Sequence, residues 1–425
     1  MKRQKLKTIS TLTLALLLSA SVVGCSNAQD SSEEAATQLA TAQASPTPLA
    51  STPAASETES SSAATTTEAS AQDTSELFSD RDLEQTADLT AATQIHLVSD
   101  QDVTLNTEGV YVLSGEATNV TVVVEAPEDA KVQIVLDGVS ITNEDSPAIY
   151  VEEADKVFVT STDSENRMEV TGTYVADGET NLDAVIFSRA DLTLNGTGSL
   201  DIVSAQGNGI SSKDDLKITG GAYNIQSAED ALEANDAILI NDGTIIIDAG
   251  KDGLHSENDE DATRGYIYIE GGTLTITAGD DGIQGNRFVQ IDGGIINIET
   301  STEGIESTSI VINDGQITVY ATDDGINAAQ KVDGNVAIEV NGGTINVTVG
   351  SGDTDAFDSN GDLTINGGTI TVEAQSAFDA DGTAQLNGGD VTVNGQKITE
   401  ITVSRGGPGG GGGFGGGGGR GMGRQ

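Results

Sequence analysis

Apolar residues in this chain fall in short alternating runs separated by glycine turns. Ile238-Leu239-Ile240 precedes Asn241-Asp242-Gly243, and Ile245 and Ile247 follow. The same frame recurs from Ile267 to Ile276 around Gly271-Gly272. It returns around Gly293-Gly294, Asp314-Gly315, Gly342-Gly343, Gly367-Gly368 and Gly388-Gly389. Alternation with period two puts Ile, Val and Leu on one face of a strand. The glycines supply positive φ where the path bends sharply. Repeating strands are predicted from near Ile95 to about Val403.

A second fixed element is a three-residue step: acid, small residue, apolar residue. It reads Asp230-Ala231-Leu232, Asp252-Gly253-Leu254, Asp281-Gly282-Ile283, Glu303-Gly304-Ile305, Asp324-Gly325-Ile326 and Asp355-Ala356-Phe357. Degenerate copies stand at Asp183-Ala184-Val185, Asn208-Gly209-Ile210 and Ser376-Ala377-Phe378. Most steps lie 21 or 22 residues apart, whereas Asp252 to Asp281 spans 29 and Asp324 to Asp355 spans 31. Short turns of this kind also make hairpins and meanders. A hairpin, however, would not put one acid per copy on one edge. A fixed period in a strand-rich chain predicts a solenoid in which each repeat stacks on the last. The expected architecture is all-β: a right-handed, single-stranded parallel β-helix, by the handedness of parallel connections. In-register stacking at about 4.8 Å then sets Ile on Ile and Asn on Asn.

The acid of each step therefore forms a column. In this reading the apolar residue fills the coil, the small one permits a tight corner, and the acid faces out. Carboxylates at rung spacing repel by roughly 1 kcal/mol per neighbouring pair in bulk water, and more at lower dielectric. Left alone, they raise their own pKa values or destabilise the stack. A hard divalent cation relieves the repulsion, and calcium suits an oxygen-rich, irregular site. More donors stand three residues beyond the acids (Glu233, His255, Gln284, Glu306, Asn327, Asp358, Asp379) and two further on (Asn235, Glu257, Asn286, Thr308, Asn360, Asp381). The expected ion-binding set is Asp230, Glu233, Asp252, Asp281, Asn286, Glu303, Glu306, Asp324, Asn327, Asp355 and Asp358. Asp-Gly is also good turn chemistry in its own right, but turn preference does not account for a second polar column. The two long steps insert residues just after the column, at 255–266 and 328–335. Insertions on one face of a solenoid often mark its binding face.

Charge narrows the partners. The chain carries 67 acidic and 19 basic residues, a net charge of −48. That surface repels nucleic acid and anionic membranes and attracts cations. The single cysteine rules out a disulfide framework. Lys2, Arg3, Lys5 and Lys7 precede an apolar stretch from about Leu12 to Val23, and Val22-Val23-Gly24-Cys25 resembles a bacterial lipobox. Residues 1–25 then form a lipoprotein signal peptide ending at a lipidated Cys25. The protein would be anchored at the outer face of the bacterial cell membrane. Residues 26–76, rich in Ser, Thr, Ala and Glu, lack apolar periodicity and are expected to be a disordered tether. As a coil, a tether of about 50 residues spans roughly 40 Å. Leu77 to about Thr86 is expected as a short helix or end cap, since an open rung exposes strand edges. The β-helix domain occupies 77–404, and 405–425 is a flexible glycine-rich tail. The expected state is a monomer.

From Phe78 to about Val403 the chain resembles a bacterial family of carbohydrate-binding β-helix proteins related in fold to pectate lyases. The resemblance rests on Phe78-Ser79-Asp80-Arg81-Asp82-Leu83, Gly109-Val110-Tyr111-Val112-Leu113-Ser114-Gly115 and Val132-Gln133-Ile134-Val135-Leu136-Asp137-Gly138-Val139. It rests further on Pro147-Ala148-Ile149-Tyr150-Val151, Ser211-Ser212-Lys213-Asp214-Asp215-Leu216 and the Asp-Gly-Ile steps. It implies calcium and a plant-type polysaccharide such as polygalacturonate or cellulose. Calcium bridges two sets of carboxylates, so an acidic protein can hold an acidic polymer. The absence of Trp weighs against a flat stacking platform. Two other readings are a calcium-dependent polysaccharide lyase and a structural spacer or adhesin. β-Elimination needs a base; Lys213, Lys251, Arg264, Arg287 and Lys331 are the basic candidates, with Lys251, beside Asp252, the first to test.

Overall fold

The computed structural model describes Thr74 and residues 77–178, 180–352 and 354–403. The expected signal peptide with Cys25, the tail and nearly all of the tether lie outside the described residues. The rest is a β-solenoid, and its strand pairings are parallel. The exception among the named strands is the closing hairpin, where Asp390–Val393 pairs antiparallel with Gln396–Ile398 across Asn394-Gly395. The hairpin alternative for the repeats is thereby excluded.

Each turn of the coil supplies three short strands, one to each of three sheets. In the first sheet, Ile238, Ile267, Val289, Ile310, Ile338 and Leu363 lie in register. The second sheet holds the strand after the glycine turn, as in Thr273–Ala278, Ile295–Ser301 and Gln316–Ala321. The third begins at the apolar residue of each step. There Leu232, Leu254, Ile283, Ile305, Ile326, Phe357 and Phe378 stack on one another. These inward columns form one continuous buried core. Burying an aliphatic side chain contributes about 1.5–3 kcal/mol, so stability accrues rung by rung.

The turns are as the sequence predicts. Gly272, Gly294, Gly343 and Gly368 have φ of 87°, 91°, 86° and 91°. The small residue of each step is enforced by close approach. A Cβ on Gly304 would run into both the Gly325 carbonyl oxygen and Val319 Cγ1. The asparagines of the corner also stack. Asn313 donates to Asp292 at 2.6 Å, Asn341 to Asn313 at 2.8 Å, and Asn366 and Asn387 each to the rung before at 2.9 Å.

The expected cap at Leu77–Thr86 is neither a helix nor at an end. It is a strap lying on the outer face of the first sheet, across rungs far along the chain. Lys217 Nζ donates to the Leu77 carbonyl at 2.7 Å, and Thr193 Oγ1 to Asp82 Oδ1 at 2.8 Å. Asn195 donates to the Glu84 carbonyl, and Gln85 bridges the Gly196 N–H and the Thr219 carbonyl. Phe78 packs on Tyr268, and Arg81 lies over Phe158. An end cap would leave Lys156, Thr193 and Lys217 exposed; the strap buries all three.

Candidate functional site

The acid of each step sits in the corner between the second and third sheets. At Asp230, Asp252 and Asp281 it does not face out, whereas Glu303, Asp324 and Asp355 are half-buried. Asp230, Asp252 and Asp281 are only 7%, 6% and 5% exposed. The reason is a side-chain ladder. Asn208 Oδ1 accepts the Asp230 N–H at 2.9 Å, Asp230 Oδ1 that of Asp252 at 3.0 Å, and Asp252 Oδ1 that of Asp281 at 2.8 Å. Asp324 Oδ1 accepts the Asp355 N–H at 2.7 Å. One oxygen thus satisfies a corner amide that the sheets leave unpaired, which a buried donor requires. Asn208 does the same work without a charge, so this degenerate step is structurally complete. The acid is therefore partly explained by folding.

The second oxygen faces the second column. Glu233, His255, Gln284, Glu306, Asn327, Asp358 and Asp379 occupy matching positions of the third sheet, as their spacing predicted. His255 Nδ1 lies 3.2 Å from Asp230 Oδ2 and 3.5 Å from Asp252 Oδ2, and its Nε2 is 3.3 Å from Glu257. Gln284 Nε2 donates to Asp281 at 2.6 Å and to Glu306 at 3.0 Å. Asn327 Nδ2 donates to Glu303 at 2.8 Å and to Glu306 at 3.4 Å. Lys331, from the second insertion, pairs with Glu306, and Lys213 with Glu233.

These partners do not neutralise the edge. Burial, then the neighbouring carboxylates, push Asp252 up to about 6 against its hydrogen bond from Asp281. Asp281 rises to about 8 through burial and then Asp252, Glu303 and Glu306. Glu303 and Asp358 rise to about 7, each mainly by burial. Burial alone would lower His255, but Asp230, Asp252 and Glu257 outweigh it and hold the imidazole at about 9. A histidinium at neutral pH is thus already one of the edge's cations.

Three groups of donors on this edge have ligand atoms mutually within 4.8 Å: Asp230, Asp252 and His255; Asp252, Asp280 and Asp281; and Asp281, Glu303 and Glu306. Asn327 Oδ1 is buried without a hydrogen-bond partner beside the last of these. A buried oxygen of that kind, among carboxylates of raised pKa, fits a hard cation. Asn286 is not gathered into these groups. It is buried beyond the end of the outward column, and Thr308 holds its carbonyl. Asp358, with Asp324 and Asp355 nearby, forms a separate acidic stretch farther along.

The structure adds what spacing did not single out. Asp280 joins through its corner position next to Asp281. A fourth group, Asp191, Asp214 and Asp215, lies on the first-sheet side. Its signal was the Asp214-Asp215 pair at the end of a third-sheet strand. Asp214 is pushed up to about 7 by burial and then by Asp236. A cleft of about 610 Å³ opens between Lys213, Glu233, His255 and the first insertion at Glu257–Glu260. The inserted residues thus line a depression directly beside the acidic columns. Lys251 is held as a surface cation. It is half exposed, forms a 3.0 Å pair with Glu229, and that hydrogen bond raises its pKa. Tyr266 stacks on Phe288 at 4.6 Å and Tyr268 is buried, whereas Tyr320 is exposed.

A family model described as carbohydrate-binding domain-containing protein matches residues 99–356 and 310–400. A carbohydrate-binding domain-containing protein of Acetivibrio thermocellus is 33% identical over 133 residues, which are 31% of this chain and 46% of the relative. The chain thus spans less than half the length of that relative. A solved structure described as a polysaccharide lyase-like protein from C. thermocellum is 24% identical, with a TM-score of 0.40, covering 71% of this chain and 94% of that one.

Proposed function

The chain belongs to the carbohydrate-binding domain-containing protein family, and we propose that it binds an acidic polysaccharide through calcium held on the corner edge. The observation that carries this reading is the pair of in-register columns with raised carboxylate pKa values beside the first insertion's cleft. Calcium accepts carboxylates from both partners and tolerates irregular geometry. Asp252, Asp281, Glu303, Glu306 and Asn327 would hold it on the protein side. The polymer's uronate groups would complete the shell from the cleft.

The expected result is retention on immobilised polygalacturonate with millimolar calcium and release by chelator. Asp281→Asn with Glu306→Gln should weaken retention at least tenfold. Equal retention with and without chelator would sink the calcium bridge. Growth of unsaturated uronate absorbance would instead favour the lyase reading, whose simplest base the Lys251–Glu229 pair disfavours.

We also propose that Cys25 carries the lipid anchor, on the order of charged, apolar and small residues before it. Labelled palmitate should enter the full chain expressed in a bacterium and be absent from Cys25→Ser. Equal labelling of the two would remove the anchor.

A further inference from the structure

The second insertion places one lysine on the acidic edge. Lys331 is the one basic residue between Arg287 and Lys397, and its ammonium pairs with Glu306. Glu306 belongs to the group of Asp281, Glu303 and Glu306, whose ligand atoms lie within 4.8 Å of one another. Both of its oxygens are engaged. Oε2 accepts from Gln284 Nε2 at 3.0 Å and meets the Lys331 ammonium, and Oε1 accepts from Asn327 Nδ2 at 3.4 Å. Glu306 is buried, and a buried charge without a partner is strongly destabilising. The ammonium responds to the whole group. Burial alone would lower Lys331, but Glu306, Asp281 and Glu303 outweigh it and raise its pKa.

The backbone of this lysine is anchored separately from its ammonium. Thr308 Oγ1 accepts the Lys331 N–H at 2.9 Å and the Val332 N–H at 3.1 Å, and it donates to the Asn286 carbonyl at 2.7 Å. The side chain is a point charge on a flexible four-carbon stem, and 29% of its surface already meets solvent. The ammonium can therefore leave Glu306 while the inserted loop stays in place. Lys331 is also an incomplete partner for the group. Asn327 is 6% exposed, and its Oδ1 has no hydrogen-bond partner. A hard divalent cation takes six to eight oxygen ligands, so it can use that oxygen as well as the carboxylates.

We propose that Lys331 is a tethered competitor for the divalent cation at this group: it holds Glu306 when no ion is bound and is displaced into water when one is. Two cations in contact with one carboxylate repel each other, so Glu306 serves one or the other. The lysine then sets the ion affinity of the edge. Apparent affinity scales with the fraction of chains in which the ammonium is withdrawn, so a lysine seated about nine-tenths of the time weakens ion binding about tenfold. The inference rests on the calcium reading of the edge and adds its regulation.

The test is calorimetric titration of the full chain with calcium at fixed pH and ionic strength. Lys331→Met, which removes the charge and keeps the length, should bind calcium tighter by roughly fivefold or more. In a Glu306→Gln background the same substitution should give almost no gain, because the two residues act as a pair. A second measurement needs no variant. An amine-selective acylating reagent should label Lys331 faster with calcium than with chelator. Lys131, paired with Asp155 elsewhere on the coil, should label equally in both. Equal or weaker calcium binding by Lys331→Met overturns the inference, as does Lys331 labelling that bound calcium leaves unchanged. In either case calcium uptake by the natural chain would leave the edge reading standing. No uptake by the natural chain or by Lys331→Met sinks the calcium edge and this inference with it. Uptake by Lys331→Met alone supports the competitor in its strongest form.

Discussion

Asp82→Ala should lower stability by about 3–5 kcal/mol, the range for breaking one side of a buried ion pair. Asp82 is 1% exposed, and its carboxylate lies 2.6 Å from Lys156 Nζ. Burial would raise its pKa, but hydrogen bonds from Lys156 and Ser79 outweigh that and bring it down to about 2. Removing the carboxylate strands Lys156, which is itself buried, and leaves Thr193 Oγ1 without its acceptor. The damage should not stay local. The strap joins rungs that contact only their neighbours, so it couples segments a solenoid otherwise lets unfold independently. Chemical denaturation should show a lower midpoint, and hydrogen exchange should quicken at the strap and on the rungs around Thr193 and Thr219. Asp82→Leu with Lys156→Met should recover most of the loss, because an apolar pair of similar volume leaves no buried charge. A change under about 0.5 kcal/mol in Asp82→Ala, the size of an ordinary surface substitution, would show that the strap is incidental.

The strap also marks where the sequence stops being informative. The solenoid was legible because stacking converts chain period into spatial register. One glycine turn or one Asp-Gly-Ile step predicts its neighbours, and Leu232 through Phe378 do lie in one column. The second polar column at Glu233, His255 and Glu306 was legible for the same reason. The partnership of Asp82 with Lys156 and Thr193 has no period to announce it. It depends on a non-repeating segment turning back across the sheet. Nor did spacing show that Asp230 and Asp252 are buried. A column of acids is expected at the surface until one sees that the Asp230 and Asp252 carboxylates each close the amide of the next rung. Asn208 in the same place was the available clue, since it keeps that hydrogen-bonding ability while losing the charge.

Without divalent cations, the melting temperature should fall as pH is raised from about 4 to 8. The sign follows from proton linkage. A carboxylate raised in the folded state binds its proton more tightly there than in the unfolded chain. Its contribution is complete near the unfolded pKa of about 4 and is lost as pH rises through the folded value. For Asp252 that loss ends near 6, for Glu303 and Asp358 near 7, and for Asp281 near 8. His255 acts in the same direction: its histidinium stabilises fully below its ordinary value of 6.5 and is lost through about 9. Asp82 acts oppositely, but only in strong acid, as pH falls through about 2. A tenfold difference in proton affinity between folded and unfolded chain is worth about 1.4 kcal/mol, so the edge should tilt the stability curve across the physiological range. Calcium should reverse the trend. It binds the ionised acids, releases their protons and adds about 2.7 kcal/mol at a hundred times its dissociation constant. The gap between calcium and chelator melting curves should therefore widen from pH 5 to pH 8. Asp252→Asn with Glu303→Gln should flatten the chelator curve and narrow that gap, since Asn keeps the ladder acceptor while removing the charge. A chelator curve that rises with pH, or a calcium effect equal at pH 5 and 8, would mean that the columns are held by hydrogen bonds alone and have no need of an ion.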